Sequence, residues 1–341
     1  MHQSQWAWIS LIGFVLGFAG PWGHAADVAF FGIIKSQEFV QTNASAPGAR
    51  PSNGFAFNAL VLASTNQVLT NATVKPSNTT PLRTLLATNA DHVFWRFEER
   101  FDSQASLDAT YPNGSLFSPA NYTVTLGTTN DGIKSVNLNY SLLPLAGGQP
   151  AVPQVTDFAA AQAIDQTADF RLRFVPSGNT LIDLVQVIVL DASSNIVFAS
   201  PAPFSAGALT GASNSVVIPR YTLPPGENLI GHLAFVRPAF LETNAYPGAI
   251  GVPAVLRDTE FPLVTRPAPK PPRLEVLSPG ITPLIIGFIG ESNRNYLLQG
   301  SVNLSNWLDL TLTNSPTGIG SFTNDTSALL PSRFYRIKVG P

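Results

Sequence analysis

The amino-acid sequence predicts an all-β protein built from about three β-sandwich modules in series. Three observations carry this prediction. Apolar and polar residues alternate with a period of two in one segment after another, helical periodicity is nearly absent, and clusters of turn residues separate the segments. Charged residues make up 12% of the chain, below the ~25% of an ordinary soluble domain. The surface is therefore expected to be rich in Thr, Ser, Asn and Gln.

The chain begins with a predicted secretory signal at residues 1–25. An uncharged apolar run covers 6–19, a Gly-Pro step ends it, and small residues precede the predicted cleavage between Ala25 and Ala26. No Lys or Arg precedes the run, and an uncleaved anchor is the alternative. Because ~14 apolar residues fall short of the ~20 that span a bilayer, we expect cleavage and a secreted, periplasmic or cell-surface protein without a membrane span.

The first predicted module covers 26–146. Trp95 lies in an alternating segment, and a hairpin follows, with strands near 122–126 and 136–142 joined by an Asn-Asp-Gly turn at 130–132. This pattern is typical of antiparallel strands with one buried face.

The second predicted module covers 150–266. Its segment 184–190 is apolar on both faces apart from Gln186, which is typical of a central strand of a sandwich. An Ala-rich stretch at 158–163 is the one helical candidate, and 261–264 is expected to be a closing strand.

A proline-rich linker, 267–273, separates these modules from a C-terminal β-module at 274–341. Prolines so closely spaced favour an extended, semi-rigid spacer. Strands in the C-terminal module are predicted at 274–278, 284–289, 295–301, 307–313, 320–324 and 333–339.

The C-terminal module carries a Tyr-led strand at Tyr296, an Asn-Leu step before Trp307, and a terminal Phe334-Tyr335-Arg-Ile run. In these features it resembles the β-module that closes many exported multidomain proteins of environmental bacteria, which have immunoglobulin-like or fibronectin III-like architecture. The resemblance covers 274–341 and implies an appended attachment or display unit. Tyr296, Trp307, Phe334 and Tyr335 are predicted to form its core. The segment 150–266 resembles sandwich modules of such proteins, and no activity follows from that.

Composition excludes several chemistries. The chain has no Cys, which removes disulfides, thiol catalysis and Cys-ligated metals. After signal cleavage, histidine remains at His92 and His232, and His232, in a strand-like run, is predicted to be a packed or edge residue rather than a base. The net charge of −2 without a basic face argues against nucleic-acid binding. We therefore predict a non-enzymatic protein without catalytic residues or a cofactor.

One acidic cluster keeps a hydrolase open as an alternative. Glu98, Glu99 and Asp102 are interleaved with Arg96 and Arg100, and a glycosidase needs two carboxylates at a set separation. Adjacent Glu98 and Glu99 point to opposite faces of a strand, so local ion pairs at a strand end are the favoured interpretation.

Calcium also stays open, without an assignable site. Aspartates near predicted turns are ordinary turn formers and do not make the alternating ladder of a helical calcium loop. They are Asp108, Asp131, Asp165, Asp169, Asp183 and Asp191.

The leading hypothesis is an exported scaffold, adhesive or cell-surface binding protein of unknown ligand. The alternative is a carbohydrate-binding accessory protein, in which Tyr111 and Tyr246, each preceding a proline in a turn, stand at loop tips. On either hypothesis the working surface is expected on residues 27–266.

Overall fold

The computed structural model of the chain describes residues 27–339, except 89, 115–119, 141–147, 179–181, 204, 247, 269, 278–283 and 325–333. The predicted signal and its cleavage point at Ala25 and Ala26 lie outside the described residues. The chain divides into two units, 1–266 and 267–341. Its described residues are almost all in strands and loops, which confirms the predicted all-β class. No described helix has the length and hydropathy needed to cross a membrane.

The described residues of the first unit form sixteen strands and two short helices. The strands are β1 Val28–Val40, β2 Gly48–Ala49, β3 Phe55–Ala63, β4 Leu69–Pro76, β5 Arg83–Thr84, β6 Leu86–Ala87, β7 Phe94–Phe101, β8 Ala120–Thr128, β9 Gly132–Tyr140, β10 Phe170–Arg173, β11 Leu184–Leu190, β12 Ile196–Ala199, β13 Leu209–Thr210, β14 Ser215–Ile218, β15 Asn228–Pro238 and β16 Ile250–Val264. The helices are α1 Gln104–Thr110 and α2 Phe158–Ala161.

A ten-stranded sheet runs through the whole first unit in the order β12-β11-β15-β16-β1-β3-β7-β6, with β13 beside β11 and β2 beside β1. Its centre is a parallel pair, because β1 runs alongside β16 from Phe30 opposite Ile250 to Val40 opposite Glu260. The predicted modules 26–146 and 150–266 therefore share one sheet. Their independence as folding modules stays a prediction.

One face of this sheet, here called the sandwich face, packs against two smaller sheets. The four-stranded sheet β5-β4-β8-β9 covers the β1, β3 and β7 half, and the pair β10-β14 covers the β11, β15 and β16 half. The β8–β9 hairpin matches the predicted one, with Thr128 opposite Gly132 at its turn. Each half is thus a sandwich with its own apolar core.

The other face of the ten-stranded sheet, here called the opposite face, has an apolar end and a charged end. Phe30, Ile34 and Leu60 belong to a buried cluster at the apolar end. Further along the same strands the side chains become charged, with Glu38 opposite Asp258 in the β1–β16 pair. Both residues are nearly inaccessible to solvent. These two carboxylates therefore lie inside the fold.

The second unit is a small two-sheet β-structure. Its strands are β17 Arg273–Val276, β18 Leu284–Ile289, β19 Arg294–Ser301, β20 Leu308–Ser315, β21 Ile319–Asn324 and β22 Phe334–Val339. They form the sheets β17-β18-β21 and β20-β19-β22. Phe288 and Phe322 of one sheet pack with Tyr296 and Leu298 of the other. Each predicted strand of this unit has a counterpart whose ends lie within two residues.

Each of the two described helices contributes residues to one of the two apolar cores of the first unit. Ser103 caps α1, because its hydroxyl accepts a hydrogen bond from the Ser106 backbone N–H at 3.1 Å. Leu107 of α1 is buried in the first core. The second helix, Phe158–Ala161, lies within the predicted Ala-rich stretch.

Candidate functional sites

A chain of ion pairs crosses the charged end of the opposite face. Glu38 lies at its centre, with Oε1 2.9 Å from Arg100 Nη2 and Oε2 2.8 Å from Arg50 Nε. Arg100 reaches on to Glu98 at 2.5 Å, and Arg50 reaches on to Glu260 at 2.7 Å. Period-two geometry places Glu38, Glu260, Glu98 and Arg100 on one face of the sheet, and Arg50 reaches them from the position just after β2.

Burial dominates the electrostatics of this chain of ion pairs. It raises the pKa of Glu38, and the two arginines, Arg100 and Arg50, oppose that effect without reversing it. Removing either guanidinium group would leave the buried carboxylate with less compensation for its desolvation, and would therefore destabilise the fold.

The acidic cluster found in the sequence separates as expected for a strand. Glu98 belongs to the opposite face, whereas the Glu99 carboxylate accepts hydrogen bonds from Arg83 Nη2 at 2.8 Å and from Tyr111 Oη at 2.7 Å. Asp102 accepts from the Asn53 backbone N–H at 2.8 Å. The three carboxylates thus have three different sets of partners, in line with the favoured interpretation of local ion pairs.

His232 and Asp258 form a second buried pair on the same face. The distance from His232 Nδ1 to Asp258 Oδ2 is 2.8 Å, and both side chains are nearly inaccessible. Burial lowers the pKa of His232, but Asp258, then Glu260 and Glu38, outweigh it, so the net pKa is raised. A carboxylate can hold a histidine in the orientation that general-base catalysis needs. Here the pair is enclosed in the sheet, as the predicted packing role requires.

Tyr111 and Tyr246 are not at exposed loop tips, which corrects the placement used for carbohydrate recognition. Tyr111 is fully buried and stacks on Phe57 with ring centroids 3.8 Å apart. Tyr246 is also buried and meets Phe31 edge-on at 5.8 Å. Each backbone does turn there, but the ring folds back into the core because burying an aromatic surface is strongly favourable.

The structure instead exposes Tyr221, a tyrosine that the sequence offered for sugar recognition without indicating a loop tip. Its side chain is 71% exposed, and its backbone has a φ of 63°. A positive φ is rare for a bulky residue and often marks a functional position. Tyr221 borders an open groove of about 480 Å³ whose lining also includes Gln166, Asp191, Val197, Thr222, Pro224 and Pro225. The one signal in the sequence is the cluster of turn residues, Pro-Pro-Gly, that follows Tyr221.

The predicted core of the second unit is correct in part. Tyr296 is fully buried, and its hydroxyl donates to the Glu291 carbonyl at 2.8 Å. Tyr335 is partly buried against the same cluster. Phe334 is 41% exposed, so its assignment to the core is wrong. Alternation explains this, since Tyr335 takes the inward position of β22 and Phe334 the outward one.

Trp307 is also displaced from the predicted core. It is only partly buried, its indole Nε1–H donates to the Leu304 carbonyl at 3.0 Å, and the Arg336 guanidinium lies 4.2 Å from its ring centroid. The side chain therefore packs against a loop and an arginine rather than between two sheets.

The turn aspartates considered for calcium have protein partners. Asp183 accepts two hydrogen bonds from Arg237, at 2.6 and 2.8 Å. Asp191 caps its own turn through Asn195 and Ser193. The others bond as follows: Asp108 with Lys35, Asp131 with the Asp27 N–H, Asp165 with Thr167 and Asp169 with the Arg220 N–H. Within the described residues, no three His, Asp or Glu side chains cluster as metal ligands.

Comparison with known proteins gives structural neighbours only. No family model matches the chain, and no curated protein matches it. The FN1-FN3 domains of chicken CNTN1 align with 92% of this chain and 92% of their own at 11% identity and a TM-score of 0.21. A tetra-tandem repeat in the extending region of a large adhesion protein aligns with 91% of this chain and 74% of its own, at 12% identity and a TM-score of 0.19.

Proposed function

We propose that the chain is an exported, non-enzymatic scaffold or adhesive protein of the cell surface. One observation carries the proposal: the side chains of the candidate sites that are chemically able to take part in catalysis are engaged with other groups of the protein. Glu38, Glu98, Glu99, His232 and Asp258 are all engaged in ion pairs and hydrogen bonds with other protein groups, within the ten-stranded sheet or, for Glu99, between that sheet and the four-stranded one. Such a sheet is suited to holding surfaces at fixed positions.

The second unit is proposed to attach or display the first. It follows a proline-rich segment that favours an extended spacer, and it has its own apolar cluster around Tyr296 and Phe288. The attachment role is an expectation of the resemblance noted in the sequence.

Cell fractionation tests this proposal. The full chain, expressed in its host, is expected at the surface, where protease added to intact cells digests it. A chain ending at residue 266 is expected to be released to the medium. Retention inside the cytoplasm, or turnover of a polysaccharide, peptide or ester by the purified full chain, contradicts the proposal.

A second candidate function is carbohydrate binding at the groove beside Tyr221. An exposed aromatic ring next to polar Gln166 and Asp191 offers a stacking surface with hydrogen-bonding groups at its edge. The groove volume lies within the range of small-molecule sites. This replaces Tyr111 and Tyr246 as the aromatic residues of that hypothesis.

Retention on insoluble polysaccharides tests this second function. Tyr221→Ala is expected to weaken retention at least tenfold if the ring stacks on a sugar. Phe240→Ala is the matched control, because Phe240 is another exposed aromatic residue, at 43%, away from the groove lining. Equal retention of both variants, or none by the unmodified chain, contradicts carbohydrate binding there.

A further inference from the structure

A lysine amine is buried in the first core beside the carboxylate of one side chain and the amide carbonyl of another. Lys35 belongs to the sandwich face of β1, between Phe57 of β3 and Val255 of β16. Its side chain is 4% exposed. The segment that includes α1 and the residues after it closes over this amine, and supplies Asp108, Tyr111 and Asn113 as its partners.

The amine is close enough to Asn113 to react with it. Lys35 Nζ lies 2.5 Å from Asn113 Oδ1. Because a C=O bond is about 1.23 Å long, Nζ is at most about 3.7 Å from the amide carbon of Asn113. Reacting atoms in productive complexes are about 3–3.5 Å apart. The fold therefore holds an amine against an amide carbon near the distance of attack.

The environment also makes the amine nucleophilic. Burial lowers the pKa of Lys35 to about 8, and the hydrogen bond and charge of Asp108 only partly offset that effect. At pH 7 about a tenth of the amine is then uncharged, against far less for an exposed lysine. An uncharged amine has the lone pair that attack on a carbonyl carbon needs.

We propose that Lys35 and Asn113 form an intramolecular isopeptide bond, with Asp108 carrying the proton. The Lys35 Nζ lone pair attacks the Asn113 amide carbon, and a new N–C bond forms. A proton from Nζ passes through the Asp108 carboxylate, 2.9 Å away, to the amide nitrogen. The bond between that nitrogen and the carbon breaks, and ammonia leaves. One amine and one primary amide become one secondary amide and ammonia, without an oxidant or co-reactant.

The surroundings fit a reaction that releases ammonia and resists hydrolysis. A cavity of about 10 Å³ is lined by Lys35, Asn113, Tyr140 and Leu107, among others. It has room for one water-sized molecule. Tyr140 is buried, with its ring centroid 5.1 Å from Nζ. Exclusion of bulk water favours the amide once it forms.

The bond joins parts of the chain that are far apart in sequence. Lys35 and Asn113 are 78 positions apart, so the link ties the central strand β1 to the segment after α1. A cross-link that closes a loop of this size restricts the unfolded chain strongly. We expect the melting temperature of the linked chain to exceed that of an unlinked variant by about 10 °C.

Mass spectrometry of the purified full chain tests the proposal. The intact mass is expected to be lower than the sequence mass by one ammonia, and tryptic digestion should yield one branched peptide containing Lys35 and Asn113. Lys35→Met, Asn113→Ala and Asp108→Ala should each restore the mass calculated for the variant. Asp108→Ala keeps both reacting groups, so it isolates the role of the carboxylate. Lys75→Arg is the control and should keep the deficit, because Lys75 bonds only to the carbonyls of Asn78 and Thr80 among its described contacts.

Three results overturn the proposal. The first is a wild-type chain of full calculated mass. The second is a joined peptide that has lost water and links Lys35 to Asp108. The third is an ammonia deficit that survives Lys35→Met, because Asn113 precedes Gly114 and such a pair can lose ammonia by closing a succinimide. The wild-type peptide map decides the question even if a variant fails to fold.

Discussion

His232 Nδ1 and Asp258 Oδ2 lie 2.8 Å apart inside the ten-stranded sheet, on adjacent antiparallel strands. The imidazole is 1% exposed, and the Glu260 and Glu38 carboxylates also act on it. Among the charged groups of the same face, Arg50 and Arg100 bind Glu38. The net effect raises the pKa of His232 above 6.5, so the folded state binds the imidazolium proton more tightly than the unfolded state does.

Stability is therefore expected to depend on pH through His232. A raised folded-state pKa contributes stability that is fully present below pH 6.5 and is lost as the pH rises through the folded-state pKa. Urea unfolding at a series of pH values should show this fall. Glu38, whose pKa burial also raises, contributes a fall in the same direction at lower pH. His232→Gln should remove the His232 part of the slope, and His92→Gln, at an exposed histidine, should keep it. An unchanged slope in His232→Gln contradicts the assignment.

The Arg237–Asp183 pair should be a strong contributor to stability. Asp183 is 1% exposed, and two parallel hydrogen bonds from Arg237 hold its carboxylate. Arg237→Met leaves that charge buried without its cation, and is expected to lower the free energy of unfolding by about 3–5 kcal/mol. Chemical denaturation measures the loss. Arg171→Met, at an exposed arginine of β10, should change it by less than about 0.5 kcal/mol.

Gly32 allows β1 and β16 to approach each other. A Cβ at this position would lie 2.7 Å from the Val252 carbonyl oxygen, and a backbone atom in a central strand cannot move aside easily. Gly32→Ala should destabilise the first unit by about 1–3 kcal/mol. Gly48→Ala is the control, because nothing lies within 4 Å of its added Cβ. Equal midpoints of denaturation for the two variants would show that the strands are not so closely paired.

Arg336 should stabilise the second unit through Trp307. The guanidinium lies 4.2 Å from the indole centroid, and its Nε donates to Gln299 Oε1 at 2.7 Å. Arg336→Ala is expected to cost about 0.5–1 kcal/mol and to change the fluorescence of Trp307. Arg273→Ala, at an arginine whose side chain is 77% exposed, should leave both unchanged. Identical spectra for Arg336→Ala and the unmodified chain contradict the contact.

The alternation of apolar and polar residues predicted the strands well where one face of the strand is buried and the other is exposed to solvent. The β8–β9 hairpin and the six strands of the second unit follow from alternation and turn residues. The same pattern failed for β1, because Val28–Val40 is buried on both faces and shows no alternation to read. Its parallel pairing with β16 joins residues more than two hundred positions apart, which no local signal encodes.

The candidate site residues also divide into those whose placement follows from local strand geometry and those whose placement depends on tertiary contacts. The opposite orientation of Glu98 and Glu99 follows from strand geometry alone. The contacts of Lys35 with Asp108 and Asn113 do not, because they need α1 to close over β1. Tyr111 and Tyr246 were misplaced because a residue before a proline can lie in a turn while its ring still enters the core.

The scaffold proposal depends most on the β1–β16 pair, because that pair joins the two halves of the first unit into one sheet. Native-state hydrogen exchange of the full chain measures its strength residue by residue. The amides of β1 from Gly32 to Phe39 and of β16 from Ala254 to Thr259 should exchange only through global unfolding, with the same free energy as amides of β3 and β15. Exchange of these amides through local opening, while β3 and β15 remain protected, would contradict a single continuous sheet.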